Sequence, residues 1–228
     1  MEINGLQKLT LLDYPGYVAC TVFLAGCNLR CPFCHNARLV VESPEEHISD
    51  EEFFSFLRSR RGRLDGVCIT GGEPLLRPDL AEFLARIRDC GMLIKLDTNG
   101  TLPEKLGSIV SSGAVDYIAM DIKNSLPLYS RTCGTEVCTD DILSSISIIA
   151  GSGIDHEFRT TCARGLHTPD SIRELTSLIK GENKYFLQSL VDSGDMIDKT
   201  TLGLSPEEMR ELLSAARENV PSSRIRGI

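Results

Sequence analysis

Three cysteines, Cys27, Cys31 and Cys34, stand in the run AGCNLRCPFCHN with the spacing C-x3-C-x2-C. A loop this short brings the three thiolates onto one centre. Iron–sulfur clusters are held by Cys thiolates, four of them when every iron is saturated. Three would leave one iron open. A structural zinc site with a fourth ligand such as His35 fits the same residues. Further along stands Thr70-Gly71-Gly72-Glu73-Pro74. Its glycines permit close backbone approach, Glu73 adds a carboxylate and Pro74 fixes the exit. Asp97-Thr98-Asn99-Gly100 and Asp121-Ile122-Lys123 follow. The two aspartates fit ordinary turn chemistry, and with backbone oxygens they also suit a hard cation. Arg159 and Gln188 fall inside apolar segments, where an Arg needs a partner because an unpaired buried charge is costly. A structural salt bridge and a satisfied core amide would meet that need equally well.

These residues recur at one place in the pattern, directly after apolar β-branched runs. The runs are Val18 to Leu24, Val67 to Thr70, Leu93 to Leu96, Val115 to Met120, Asp155 to Thr161 and Tyr185 to Leu190. Each is followed by a segment of helical period. Ser49 to Gly62 opens with a capping box, Ser49 with Glu52. Pro78 to Cys90 carries Leu80, Phe83, Leu84 and Ile87 on one face. Pro103 to Ser112 and Asp140 to Ala150 follow. Thr168 caps a helix with Pro169 at its first position. Ser205 to Glu208 opens the last helix, with Met209, Leu212, Leu213 and Ala216 as its stripe. Six strand–helix units demand a parallel sheet with right-handed crossovers. Six are too few for a closed eight-stranded barrel, so an open sheet or a partial barrel is expected. In such folds the chemistry sits at the C-terminal strand ends, where these motifs lie. Met1 to Gly16 is expected to cover one end of the sheet. Asp192 to Gly203 reads as a polar loop with room for a function.

The 228 residues are 42% apolar and 25% charged, ordinary values for a globular domain. No linker divides residues 1–228, so one domain is expected, with a core from about 12 to 190 and a terminal helix from about 205 to 219. Disorder, collagen and coiled coil are excluded. No apolar run of about 18 residues exists, so no membrane-spanning helix is expected. With 24 basic and 32 acidic residues, net charge −8, general nucleic-acid binding is not expected either. Met1 to Leu12 lacks a basic region followed by a long apolar stretch, which argues against a secretory signal. Nine cysteines without an export signal fit a reducing cytoplasm, where clustered thiols bind metal or do chemistry. Cys20, Cys68 and Cys90 read as small buried apolar residues. Cys133 and Cys138 read as incidental thiols of an exposed loop. His156 and His167 are expected at the surface.

C-x3-C-x2-C with Phe33 before the last Cys, followed by strand-end GGEP, resembles the radical S-adenosylmethionine superfamily. DTNG and D-x-K resemble its glycyl-radical-enzyme activase branch, the activators of pyruvate formate-lyase and anaerobic ribonucleotide reductase. The resemblance covers roughly Leu12 to Leu190. It implies a (β/α)6 partial TIM barrel of parallel strands, the radical SAM fold. It implies a [4Fe–4S] cluster on Cys27, Cys31 and Cys34, with the open iron chelated by S-adenosylmethionine. Electron transfer to the sulfonium then yields a 5′-deoxyadenosyl radical that abstracts hydrogen. Phe33, His35, Asn36, Gly71, Gly72, Glu73, Pro74, Asp97, Thr98, Asn99, Asp121, Lys123, Arg159 and Gln188 are the implied cofactor-binding residues. Lys123 suits the methionine carboxylate; Glu73 and Asp97 suit its ammonium. A monovalent cation near Asp97 and Asp121 belongs to the same expectation. The implied partners are a glycyl-radical enzyme as protein substrate and a reductant such as flavodoxin or ferredoxin. Two departures stand out. Tyr14 replaces a Gly in the Asp13-Tyr14-Pro15-Gly16 run, and the cysteine-rich inserted domain of some activases is missing.

Two rivals use the same residues. One is a radical enzyme acting on a small molecule such as a modified-base precursor. The other is a non-enzymatic iron–sulfur protein for electron transfer or sensing, which would have no need of GGEP or D-x-K.

Overall fold

The computed structural model describes residues 1–42, 47–181, 183–191 and 194–227. Eight strands form one sheet in sequence order: β1 Gly5–Thr10, β2 Ala19–Leu24, β3 Gly66–Gly71, β4 Leu93–Thr98, β5 Tyr117–Asp121, β6 Asp155–Cys162, β7 Tyr185–Ser189 and β8 Arg224–Arg226. β1 runs antiparallel to β2, and every later pair is parallel. The six expected strands are β2 to β7, and the parallel, open partial barrel is as expected. Met1 to Gly16 covers one end of the sheet as expected, through Tyr14, which is buried against Ala19, Leu93 and Tyr117 at the N-terminal ends of β2, β4 and β5. It also supplies the antiparallel edge strand β1, whose polar sequence GLQKLT hid it from a reading based on apolar runs. β8 was likewise not expected.

The longer helices follow the strands as the periodicity predicts. α1 Ala37–Val41 and α2 Asp50–Ser59 lie between β2 and β3. α3 Leu80–Asp89, α4 Pro103–Ser111 and α7 Pro169–Ser177 cross between successive strands. α5 Tyr129–Cys133 and α6 Thr139–Gly151 both precede β6, and α8 Pro206–Arg217 precedes β8. The short α1 and α5 were not expected. Capping boxes at Ser49, Thr168 and Ser205 start α2, α7 and α8. None of the described helices is long and apolar enough to cross a membrane.

Side chains alternate across a strand, so register decides what faces the barrel interior. One face of the sheet carries Val22, Ile69, Ile94, Leu96, Ile118, Met120, Phe158 and Leu187, all fully buried. The stripes of α2 (Phe53, Phe54, Leu57) and α3 (Leu80, Phe83, Leu84, Ile87) join them in one apolar core. Each such side chain contributes about 1.5–3 kcal/mol of burial free energy. The opposite face is polar. Cys68 pairs with Lys95, Lys95 with Tyr117, Asp121 with Arg159 and Thr161 with Gln188, so these residues share the interior. The barrel therefore places its apolar material under the helices and its charge inside.

Candidate active site

The loop after β2 carries the three cysteines, and backbone contacts fix it on several sides. Arg30 donates from its guanidinium to the carbonyls of Cys27 (2.6 Å) and Leu29 (2.8 Å), closing the loop on itself. Its own N–H donates to the Cys133 carbonyl at 2.9 Å. Gly26 carbonyl accepts from Glu73 N–H at 2.8 Å. This explains the paired glycines. A Cβ on Gly72 would lie 2.0 Å from the Gly26 oxygen, and one on Gly71, at φ +118°, would lie 2.4 Å from the Leu24 oxygen. The Gly-Gly turn thus lets the end of β3 press against the cluster loop itself. Asn36 adds a bond from its side-chain amide to the Gly71 carbonyl at 2.9 Å.

A cavity of about 350 Å³ opens beside this loop at the C-terminal strand ends. Every site residue expected from the sequence borders it except Glu73 and Pro74. Asp13, Thr21, Phe23, Leu29, Val40, Thr70 and Thr161 also border it and were not foreseen. Asp13 and Thr21 are joined by a 2.5 Å hydrogen bond from the threonine hydroxyl to the carboxylate. Asp13 lies in the irregular segment between the edge strand β1 and β2, where no strand-end pattern points it at the cavity.

Glu73 is 1% exposed and faces inward, away from the cavity. Its carboxylate accepts from Leu75 N–H (3.1 Å), the Thr98 hydroxyl (2.9 Å) and Asn99 N–H (2.6 Å). Burial pushes its pKa up to about 7, against those three bonds. In this conformation Glu73 clamps the DTNG strand end rather than presenting a carboxylate to a ligand.

The charged residues form one continuous network. Arg159 donates to Asp121 (2.9 Å) and pairs with Asp97 (3.3 Å). Lys123 pairs with Asp121 at 3.1 Å, and Lys95 pairs with Asp97. Deeper in the barrel, Arg226 of β8 holds Glu157 through two 2.8 Å bonds. Burial opposes both aspartates, yet Arg159 and their lysines hold Asp97 and Asp121 well below the usual carboxylate range. Burial likewise opposes the Lys123 ammonium, and Asp121 outweighs it, raising the pKa. Four cations (Lys95, Lys123, Arg159, Arg226) face three carboxylates (Asp97, Asp121, Glu157). At the cavity wall itself Lys123 and Arg159 stand with three carboxylates, Asp13, Asp97 and Asp121.

The thiols differ among themselves. Burial raises the pKa of Cys27 and Cys34. Cys31 is lowered to about 7, first by a hydrogen bond from Cys133 and then by the charge of Lys123, against burial. Cys133 is fully buried at the end of α5, not in an exposed loop, whereas Cys138 is exposed as expected. Among the described residues no three His, Cys, Asp or Glu side chains gather closely enough to hold one metal ion. Cys27, Cys31 and Cys34 all border the one cavity. A cluster, whose irons each take their own thiolate, fits three cysteines that face one space.

His167 is 5% exposed, so its expected surface position is corrected. Nδ1 accepts from Ala163 N–H at 3.0 Å, which leaves Nε2–H to donate to the Lys123 carbonyl at 2.8 Å. Its ring edge meets Phe33 of the cluster loop, centroids 6.2 Å apart. His156 is half-buried between Ile154 and Asn183. The polar loop expected from Asp192 to Gly203 has its first two residues outside the described ones. Its later part reaches the cluster loop, where Asp198 N–H donates to the Pro32 carbonyl at 2.9 Å.

A family model described as the radical SAM superfamily matches residues 21–180. A protein of Methanocaldococcus jannaschii named as a glycyl-radical enzyme activating enzyme is 30% identical over 99% of this chain and 96% of its own length. The pyruvate formate-lyase-activating enzyme of Clostridium pasteurianum is 30% identical over 54% of this chain and 52% of its own. Among solved structures, Streptococcus suis SuiB bound to its precursor peptide SuiA superposes with a TM-score of 0.72. It is 16% identical and covers 91% of this chain and 48% of that one, a likeness of fold.

Proposed function

The chain belongs to the radical SAM superfamily, and from that premise we propose that it generates a glycyl radical on a partner enzyme. The family implies a [4Fe–4S] cluster and S-adenosylmethionine. Together these supply, when bound, reductive cleavage of the sulfonium to a 5′-deoxyadenosyl radical that abstracts a hydrogen atom. The carrying observation is that the wall of one cavity brings three thiols together with the cations Lys123 and Arg159 and the carboxylates Asp97 and Asp121. Cys27, Cys31 and Cys34 would hold the cluster. Lys123 and Arg159 would take the methionine carboxylate through charge-assisted hydrogen bonds. Asp97 and the carbonyls at the Gly71-Gly72 turn stand where an ammonium would be received. A monovalent cation, as part of this reading, would have to share Asp97 and Asp121 with Arg159 and Lys123. His35, Asn36 and Gln188 lie on the same wall for the adenosine part.

The protein's own contribution is to orient and to exclude water. Its strands hold the charged groups inside a barrel, where they need not reorganise when the cofactor enters. The sheet is open, with β1 and β8 at its two edges, so a peptide loop has a lateral way in. The name of the relative that matches nearly the whole chain supports a glycyl-radical enzyme as the protein substrate. A glycine loop suits such entry because it lacks a side chain and tolerates unusual backbone angles. A reductant such as flavodoxin or ferredoxin completes the reading, in a cytoplasmic setting and with residues 1–228 acting as one unit. The test labels the glycine Cα of a candidate partner with deuterium. Label recovered in 5′-deoxyadenosine, with a glycyl signal in electron paramagnetic resonance, is the expected result. Turnover of a small molecule with no label transfer from any glycyl-radical protein of the same cell would overturn it.

A further inference from the structure

We propose that Asn99 is a positioning residue for the cluster, donating a side-chain N–H to the sulfur of Cys27 and so raising the cluster's reduction potential. The inference rests on the reading of Cys27 as a cluster ligand.

The orientation of the Asn99 amide is fixed by its partners. The side-chain oxygen accepts from Thr101 N–H at 3.0 Å and from the Thr101 hydroxyl at 2.7 Å. A backbone N–H can only donate, so that end of the amide is the oxygen. The nitrogen end therefore faces Cys27 Sγ at 3.8 Å and Asn28 Oδ1 at 3.0 Å. Asn99 is 6% exposed, so neither end is free to swing into water. Its backbone is held as well, because Asn99 N–H donates to Glu73 at 2.6 Å. A buried carboxylate thus anchors the strand end, the strand end aims an amide, and the amide reaches a thiolate 72 residues earlier in the chain. Cys27 Sγ takes a second bond from Leu29 N–H at 3.4 Å.

A one-electron reduction adds negative charge to the cluster and its sulfurs. A donor aimed at a sulfur stabilises the reduced form more than the oxidised form, which moves the potential upward. Asn99 then does more than border the cofactor cavity. It makes the cluster easier to reduce by its physiological donor. The role differs from holding S-adenosylmethionine and should be visible with no S-adenosylmethionine present.

The test is a potentiometric titration of the anaerobically reconstituted protein, without S-adenosylmethionine, followed by electron paramagnetic resonance. Asn99→Ala should keep three thiolate ligands but lose the donor. We expect its midpoint to fall by about 59 mV, a tenfold change in the one-electron equilibrium. Thr101→Val removes a hydroxyl that donates to the Asn99 side-chain oxygen at 2.7 Å and accepts from Asn28 Nδ2 of the cluster loop at 2.8 Å, so it loosens the aim of the amide without removing the donor; its midpoint should fall by less, in the same direction. An unmoved midpoint in Asn99→Ala overturns the proposal. If that variant carries no cluster, an unmoved midpoint in Thr101→Val does so instead. Cys27→Ala separates the two readings. Full cluster content in that variant removes the ligand assignment itself, whereas its loss beside an unmoved Asn99→Ala midpoint removes only the role of Asn99.

Discussion

Arg159→Leu and Lys123→Met should separate folding from cofactor binding, although both remove a cation from the same wall. Arg159 bridges Asp121 at 2.9 Å and Asp97 at 3.3 Å and stands 4.0 Å from Glu157. All three carboxylates are at least largely buried by protein, and Glu157 is 1% exposed. Removing Arg159 leaves each with a single cation, where Asp97 and Asp121 had two. Breaking a buried ionic contact by deleting one partner costs about 3–5 kcal/mol. Lys123 pairs with Asp121 alone, and Asp121 keeps Arg159 when Lys123 is gone. Lys123→Met removes one contact and leaves Asp121 paired, so its stability cost should be clearly smaller than that of Arg159→Leu. Cofactor affinity should answer differently. A charge-assisted bond to the methionine carboxylate contributes about 1.5–3 kcal/mol, so Lys123→Met should weaken S-adenosylmethionine binding by roughly one to two orders of magnitude. The assays are urea unfolding of the cluster-free protein under reductant and equilibrium dialysis of the cluster-loaded protein. Equal stability in the two variants would refute the bridging role of Arg159. Undiminished binding by Lys123→Met would refute its carboxylate contact.

Replacing any of Cys27, Cys31 or Cys34 with Ala should abolish both the cluster absorbance and cofactor cleavage, whereas Cys138→Ser, at an exposed position, should leave iron content unchanged. Stability should follow pH in two opposing ways. Glu73 is raised in the fold, so the folded protein binds its proton more tightly, and stability should fall as pH rises from the ordinary Glu value toward about 7. Asp97 and Asp121 are depressed, so their contribution is present above the ordinary Asp pKa and is lost as pH falls below it. Urea midpoints measured across pH 3 to 8, at roughly unit steps, should therefore peak between these ranges, and a monotonic rise to pH 8 would contradict the burial of Glu73.

The strands that could be read from sequence are those that bury one face against helices. β2 to β7 carry β-branched runs because their outward face packs on the apolar stripes of the surrounding helices, α2, α3, α4, α6, α7 and α8, in one core. β1 and β8 lie at the sheet edges and carry GLQKLT and RIR, with too little apolar material to stand out. β8 is tied to the barrel by Arg226, whose partner Glu157 lies 69 residues away. The motif residues were legible for a related reason. In a parallel sheet every strand end falls on the same side, so chain position alone places Cys27, Gly71, Asp97, Asp121 and Arg159 around one cavity.

Direction was not legible, and here direction decides role. Glu73 sits at a strand end, as Asp97 does, yet it turns inward to Leu75, Thr98 and Asn99 while Asp97 faces the cavity. His167 stands beside the N-cap of α7, where nothing in the local pattern signals burial. Only the return of the post-β6 loop onto Lys123 and Phe33 shows that it holds the two sides of the site together. Cys133 is of the same kind, because its contact with Cys31 depends on α5 folding back under the cluster loop. Residues that touch a cofactor are constrained by its chemistry and recur in short motifs. Residues that aim them are constrained only by where the backbone happens to return, so several side chains can fill the same office. That difference makes Asn99 the informative case. It lies within a motif, and it borders the cavity, but its amide is spent on Thr101, Asn28 and Cys27. A motif position can thus serve the cofactor through a ligand, and the potential of the cluster is the quantity that would register it.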